Sequence, residues 1–518
     1  MFIQILMLVA FFSVTILVGL YCRRSATDVN SFVLGGRSVG PWLSAFAFGT
    51  SYFSAVVFIG YAGQFGWRFG ISAVWIGLGN ALIGSLLAWV TLGRRTRIMT
   101  HQLGSATMPA FFGTRFESPG LRIGASVIIF VFLIPYTASL YNGLSRLFVM
   151  AFNIDFAFCI AIMAALTGLY VIAGGYLATA INDFIQGIIM LVGIVVVVAA
   201  VLNTHGGFLS SLNALAMVED AAVSGSPGIF ASFFGPDPFS LLCVVLLTSL
   251  GTWGLPQMVQ KFYSIRSESA VHKGTIISTL FALVVSGGCY FLGGFGRLFS
   301  DKIDIAANGY DSIIPTMLSD FSPALIGLIV VLVLSASMST LSALVMTSAS
   351  TFTLDFIKTT VAKDMDEKKQ LLSIRLLIVA FVAISAGIAI WQYKQGAVFI
   401  AQLMGISWGA LAGSFLAPFL YGLYWKRTTK AATWSSFAFG TGFMLINLLA
   451  KNILPAPLQS PINAGAFCML TGLVLVPVVS WFTRPPSAEH IAHCFAAYDE
   501  TVTVPVTDTL GGAKGETR

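Results

Sequence analysis

Phe48-Gly-Thr-Ser-Tyr-Phe-Ser54 is a polar interruption inside an otherwise apolar run of the chain. A second interruption, Thr248-Ser-Leu-Gly-Thr-Trp-Gly-Leu-Pro256, carries two glycines and a proline, which removes a backbone hydrogen-bond donor. Irregular backbone at membrane depth survives only where it is buried or lines a wet cavity. The pair therefore predicts two discontinuous membrane helices around a central site. The alternative is that these glycines and the proline only help membrane helices to pack.

The whole chain has the composition of a polytopic membrane protein. Of its 518 residues 57% are hydrophobic and only 9% are charged, which excludes a soluble globular protein. A span needs about 20 apolar residues. The predicted fold class is all-α, with thirteen spans near 2–21, 41–63, 71–92, 122–148, 153–174, 181–202, 239–260, 274–296, 323–352, 373–392, 397–421, 431–450 and 464–482.

The distribution of basic residues predicts the orientation in a cell membrane. With the N-terminus outside and the C-terminus in the cytoplasm, 22 of the 28 Lys and Arg residues fall on the cytoplasmic side. The net charge of +7 then indicates topology and contact with anionic lipid, and it does not indicate a nucleic-acid partner.

The two interruptions lie five spans apart, and an offset of five spans reverses direction across the membrane. Paired interruptions in inverted halves are typical of the central site of a transporter. We therefore predict inverted repeats at 41–202 and 239–421, preceded by a leading span at 1–21. Two trailing spans at 431–482 and a disordered cytoplasmic tail at 483–518 complete the chain.

Hydroxyl side chains in the ninth span form a candidate cation site. Ala336, Ser339 and Thr340 fall on one helix face, and Ser342 follows one turn later. With free carbonyls of the first interruption, they could replace the hydration shell of a small cation. The alternative is that these hydroxyls only bond back to carbonyls of their own helix.

Asp183 lies about one turn inside the sixth span, and it is the carboxylate placed most clearly within hydrocarbon. An ionisable group there is costly and marks a functional site by default. The other carboxylates are assigned to loops or tails, apart from Asp155 at the edge of a span. The alternative role for Asp183 is a neutral or hydrogen-bonded packing residue.

Signatures of enzymes and pumps do not fit the chain. Its sequence has no G-x-x-x-x-G-K-[ST] phosphate loop, which argues against an ATP-driven pump. Gly405-Ile-Ser-Trp-Gly409 matches a nucleophile elbow but lies inside an apolar span, so we interpret it as chance. His490, His493 and Cys494 are too few ligands for a metal site. We predict a secondary transporter and no enzymatic activity.

Four stretches make the chain resemble the sodium:solute symporter family over residues 1–485. They are Phe32-Val-Leu-Gly-Gly-Arg-Ser-Val-Gly-Pro41, Gly174-Gly-Tyr-Leu-Ala-Thr-Ala-Ile-Asn-Asp183, the Ala336–Thr340 cluster and Tyr421-Gly-Leu-Tyr-Trp-Lys-Arg427. The resemblance implies a five-plus-five inverted repeat and sodium as the coupling ion. It places the principal sodium site at Thr50, Phe53, Ala336, Ser339 and Thr340.

Further positions bear on a second sodium ion and on the solute. The resemblance implies a second sodium at Asp183 and Ser342, but Ala343 stands where members with two ions carry another hydroxyl. Tyr52 and Thr248 replace residues typical of proline carriers. The stretches Ile181-Asn-Asp183 and Gly254-Leu-Pro256 are more similar to those of pantothenate and monocarboxylate carriers. An organic anion is favoured, although no Lys or Arg is expected at the site; an amino acid, a sugar, or a solute sensor or channel are the alternatives.

The solute pocket is predicted from residues of the two broken helices and their neighbours. These residues are Ser51, Ser54, Tyr136, Thr252, Trp253 and Gln402. The sequence leaves the identity of the solute and the oligomeric state open.

Overall fold

Long apolar helices make up most of the protein. A computed structural model describes residues 2–25, 28–152, 154–221, 223, 226–395 and 400–498. Within these ranges there is no β-strand, only an isolated bridge between Val39 and Ile265. The long helices and broken segments are α1 Phe2–Cys22, α2 Pro41–Tyr52, α3 Val56–Gln102, α4 Pro119–Phe152, α5 Phe156–Asn203, α6 Pro238–Gly254, α7 Pro256–Tyr263, α8 Glu268–Gly294, α9 Pro323–Thr351, α10 Glu367–Gln395, α11 Ile400–Tyr424, α12 Lys430–Ala450 and α13 Pro461–Phe482. Shorter helices are Val29–Leu34, Met108–Arg115, Phe208–Ala216, Ile305–Asn308, Ile313–Leu318 and Ala488–Phe495.

Both predicted interruptions break the helical backbone. Helix α2 ends at Tyr52 because Phe53 is extended, with φ −107° and ψ 103°. Helix α6 ends at Gly254, Leu255 is extended, and α7 restarts with Pro256 at its first position, where the missing donor costs nothing. The axes of α6 and α7 differ by 45°. The prediction of two discontinuous helices is confirmed.

The number of membrane spans depends on how two long segments are counted. Ten helices are long and apolar enough to cross a membrane, and the bent pair α6–α7 makes eleven. Segments α3 and α5 are 47 and 48 residues long, about twice what one crossing needs. Each contains a glycine with positive φ, Gly70 at 65° and Gly175 at 58°, a conformation that favours glycine. If each of these two segments is counted as two spans, the total is the thirteen predicted spans. The two spans of each segment are separated by a break at glycine and not by the predicted linker.

Helix α9 lies at the centre of the bundle and packs against α2, α4 and α5. Its residues from Ile329 to Thr351 are all buried. A helix that is apolar all round is expected to be enclosed by other helices. Its serines and threonines can be accommodated there because each hydroxyl can bond to a carbonyl one turn earlier.

The first part of the tail is ordered, which corrects the prediction of a disordered segment. Helix Ala488–Phe495 packs against the segment Arg94–Gln102, and the Arg115 guanidinium lies 5.1 Å from the ring centres of both Phe116 and Phe495. Burial lowers the pKa of Arg115 to about 10, so it stays charged at neutral pH. The His490 ring nitrogen lies 3.1 Å from the Arg115 carbonyl oxygen. Residues 499–518 lie outside the described part of the chain.

Candidate functional site

The end of α2 meets the middle of α9 at one carbonyl. The Thr50 carbonyl oxygen lies 3.1 Å from Ser339 Oγ and 3.2 Å from Thr340 Oγ1. Both hydroxyls also lie 3.1 Å from the Ala336 carbonyl oxygen. The structure therefore brings together four of the five residues predicted for the principal sodium site, Thr50, Ala336, Ser339 and Thr340.

The spacing of these oxygens suits a small hard cation. Such a cation binds oxygens at about 2.3–2.6 Å, so neighbouring ligands at right angles are about 3.3–3.7 Å apart. The contacts among the four residues, and the 3.4 Å from Thr340 Oγ1 to the Ser51 carbonyl oxygen, are close to that range. The fifth residue, Phe53, lies in the break, where its extended backbone takes its carbonyl out of the helical ladder.

A comparison of neighbouring hydroxyls on α9 shows which of them take part in the contact between α9 and the end of α2. Ser335 and Ser337 each donate to the carbonyl four residues earlier, at 2.7 Å, and to nothing else among the described residues. Ser339 also bonds back, to Ser335, at 2.9 Å. Of these four hydroxyls, those of Ser339 and Thr340 are the ones that also lie within 3.2 Å of an oxygen on another helix among the described residues. Bonding within the helix therefore accounts for the hydroxyls of Ser335 and Ser337. It does not account fully for those of Ser339 and Thr340.

The predicted second cation site is arranged differently from the first. Ser342 donates to the Ser339 carbonyl at 2.8 Å, and no hydrogen bond joins it to Asp183 in the described ranges. Asp183 instead lies 3.7 Å from Lys261 Nζ, and both side chains are buried. A basic residue therefore reaches the predicted second cation site. The expectation that no Lys or Arg reaches the solute pocket stays a prediction. The sequence placed Lys261 among cytoplasmic charges, but its side chain extends from α7 into the bundle.

Three of the residues close to the first break have unpaired polar atoms. Ser51 Oγ, Tyr136 OH and Trp408 Nε1 are buried and make no hydrogen bond of good geometry among the described residues, although the Tyr136 hydroxyl lies near Ser54 and Trp408. The Tyr136 and Trp408 rings are edge to face, with centroids 5.9 Å apart. Ser54 Oγ accepts a hydrogen bond from the Val56 amide at 3.2 Å, at the start of α3. Trp408 was missed because its motif was interpreted as a chance match to a nucleophile elbow.

The two solute contacts predicted on the second broken helix, Thr252 and Trp253, form hydrogen bonds to α3. Thr252 Oγ1 donates to the Gly84 carbonyl at 2.9 Å, and Trp253 Nε1 donates to the Ile83 carbonyl at 3.1 Å. Both bonds attach α6 to α3 and leave neither donor free for a solute. A helical face cannot be assigned reliably next to a break, which is why the sequence did not separate these residues from Ser51.

Gln402 lines a vestibule at the end of the bundle predicted to face outside. This cavity has a volume of about 660 Å³. The remaining described lining residues come chiefly from α3, α10, α11 and α12 and the segment before α13; they are Gln64, Phe65, Arg68, Trp391, Gln392, Leu403, Ile406, Asn447, Leu448, Leu449, Ala450, Lys451, Asn452, Gln459, Ser460, Pro461 and Ile462. Gln402 and Ser51 are therefore predicted solute contacts at different depths.

Two further carboxylates, which the sequence assigned to loops, are buried. Asp355, in the turns that continue α9, accepts from Thr107 at 2.5 Å and from Arg122 at 2.6 Å. Asp311, in the segment before α9, accepts from the Ile400 amide at 3.2 Å, and Arg146 lies 3.9 Å away. Burial raises the pKa of Asp311 to about 6, although Arg146 opposes the shift.

Comparisons with known proteins agree with this architecture. A sequence model of the sodium:solute symporter family matches residues 32–440. Sodium/proline symporters of Staphylococcus aureus strains JH9 and NCTC 8325 are each 29% identical over 495 residues, which covers 93% of this chain and 93% of theirs.

Solved structures share the fold at lower identity. A sodium-coupled sialic acid symporter in a substrate-bound, outward-open state has a TM-score of 0.71 and 16% identity, and the match covers 94% of this chain and 99% of that one. The transporter Mhp1 in its inward-facing conformation has a TM-score of 0.51 and 13% identity, and the match covers 90% and 96% of the two chains.

Proposed function

Because the chain belongs to the sodium:solute symporter family, we propose that it takes up a small organic solute together with sodium across a cell membrane. The repeats 41–202 and 239–421 would alternate access to a site at the two breaks. The N-terminus would lie outside and the C-terminal tail in the cytoplasm. The observation that carries the proposal is the Thr50 carbonyl, which two hydroxyls of α9 approach within 3.2 Å.

The sodium ion would bind where α2 breaks and α9 passes. Thr50, Phe53 and Ala336 would supply carbonyl oxygens, and Ser339 and Thr340 would supply hydroxyl oxygens. All five ligands are neutral, so the site favours a monovalent ion over a divalent ion, for which carboxylates are the usual ligands. Because the ligands belong to two different elements, bound sodium would hold α2 against α9 and fix the geometry of the break.

A carboxylate-bearing solute suits the polar groups beside that break. Trp408 Nε1 can only donate, and the Ser51 and Tyr136 hydroxyls can also donate, so an acceptor would satisfy all three. The N-terminus of α7 begins at the second break and adds a partial positive charge. In the vestibule, Lys451 and Arg68 are basic and no described lining residue is acidic, although Arg68 also pairs with Asp237 at 2.6 Å. An organic anion, such as a monocarboxylate or pantothenate, is the favoured solute.

Proline is the second candidate, and the 29% identity to sodium/proline symporters favours it. Proline also has a carboxylate, but its ammonium group would need an acceptor. Tyr52 stands where the proline carriers have an acidic residue, so it offers no carboxylate to that ammonium group; its ring stacks on Phe53 and its hydroxyl donates to the Thr248 carbonyl at 2.6 Å.

A thermal-shift screen of the purified protein separates these candidates. Small carboxylates, pantothenate, proline, other amino acids and sugars would each be added in sodium and in potassium. A bound ligand raises the melting temperature by mass action. We expect stabilisation by an organic anion in sodium only. Stabilisation by proline alone would identify proline as the solute. Equal stabilisation in potassium would contradict a specific requirement for sodium.

A further inference from the structure

Asp183 and Lys261 form an ion pair that the sodium site does not use. Asp183 lies on the second arm of α5, and Lys261 lies on α7. Their side chains are 1% and 3% exposed, and Asp183 Oδ2 is 3.7 Å from Lys261 Nζ. That distance is too long for a hydrogen bond. The contact is therefore electrostatic, between two charges that have left water.

Among the residues that the structure describes, the ammonium group has no carboxylate partner other than Asp183. Lys261 Nζ lies 5.2 Å from the centre of the Tyr176 ring, within range of a cation–π contact. A cavity of about 10 Å³ beside it is lined by Lys261, Ala343 and neutral residues only. Such a volume holds about one water molecule. Ala343 lines this space, at the position where the family resemblance implies a hydroxyl ligand in members that bind two sodium ions.

We propose that the Lys261 ammonium is a built-in cation that takes the place of a second sodium ion at Asp183. A sodium ion there would share one carboxylate with an ammonium group in a buried, low-dielectric setting, where like charges repel strongly. Ala343 would offer it no oxygen, so its shell would depend on neutral side chains of the small cavity, such as Thr179 and Gln257. The transporter would therefore move one sodium ion per cycle, bound at the Thr50 junction. The proposal rests on the sodium site described above.

Lys261 would then act on ion stoichiometry and would not bind sodium or solute itself. Removing its charge while keeping Asp183 should expose a carboxylate that recruits a second sodium ion. Restoring the missing hydroxyl should strengthen that new site. The same hydroxyl should have no effect while the ammonium group is present.

Binding of radioactive sodium to the purified, full-length protein tests this directly and needs no solute. We expect one sodium ion per wild-type molecule and one per Lys261→Arg molecule, which keeps the charge. Lys261→Met should bind two, and Lys261→Met/Ala343→Ser should bind the second at least threefold more tightly. Ala343→Ser alone should bind one.

The double variant Lys261→Met/Asp183→Asn covers the case in which Lys261→Met does not fold. It leaves no unpaired charge and should bind one sodium ion with the affinity of the wild type. Two sodium ions bound by the wild type, or a single ion bound by folded Lys261→Met, would overturn the proposal and leave sodium coupling intact. Two ions bound by the neutral double variant would also overturn it. No sodium bound by the wild type would instead contradict the proposed function.

Discussion

Replacing Thr340 by alanine should weaken sodium binding with little effect on the fold. The change removes the hydroxyl that lies 3.2 Å from the Thr50 carbonyl and 3.1 Å from the Ala336 carbonyl. An interaction between a neutral polar group and a charge contributes about 1.5–3 kcal/mol. Since 1.4 kcal/mol is tenfold in affinity, the half-saturating sodium concentration should rise roughly tenfold to a hundredfold. The lower end is expected where a water molecule can occupy the vacated position.

The assay is sodium-dependent thermal stabilisation of the purified protein, titrated in sodium chloride with potassium chloride holding ionic strength constant. The matched control is Ser337→Ala on the same helix. Ser337 is equally buried, but its hydroxyl donates only to the Val333 carbonyl, at 2.7 Å. Its half-saturating sodium concentration should stay within about twofold of wild type. Equal effects of the two substitutions, or no effect of Thr340→Ala, would refute the assignment of the site.

Two more predictions concern the pH response and the solute pocket. The raised pKa of Asp311, about 6, means that the native state keeps a proton that the unfolded state loses near pH 4. Stability should therefore fall by up to about 3 kcal/mol as pH rises from 4 to 7. Melting curves of Asp311→Asn should lack this loss, and parallel curves for both proteins would contradict it. Tyr136→Ala should weaken solute binding about tenfold or more, because it removes an unpaired buried hydroxyl and the ring against Trp408. Trp253→Phe should leave solute affinity unchanged in the same isothermal titration, and the reverse order of effects would place the pocket elsewhere.

The sequence predicted the breaks and the cation face because both depend on local chemistry. Phe53 and Leu255 are extended where glycine, hydroxyls or proline interrupt an apolar run. Ser339 and Thr340 share a face through helical periodicity alone, whatever surrounds the helix.

The errors concern side chains whose role depends on tertiary packing. From the sequence, Lys261 was predicted to be a cytoplasmic charge. In the structure its aliphatic side chain extends so that the ammonium group lies 3.7 Å from Asp183. Trp253 lies in the last turn before a break, where small changes of helix direction decide which neighbour a ring contacts. Asp311 is buried where the start of α11 packs against it. The Ile400 amide, 89 residues along the chain, donates to its carboxylate. No local pattern predicts such a contact.

Sodium-driven accumulation of solute in proteoliposomes tests the central claim most directly. The radiolabelled solute would be the compound that stabilises the protein in sodium. With an inward sodium gradient, we expect its internal concentration to rise above the external one and to fall back when the gradient is dissipated. An inward proton gradient in potassium buffer should produce no accumulation. Accumulation with the proton gradient alone, or mere equilibration under the sodium gradient, would contradict sodium-coupled symport.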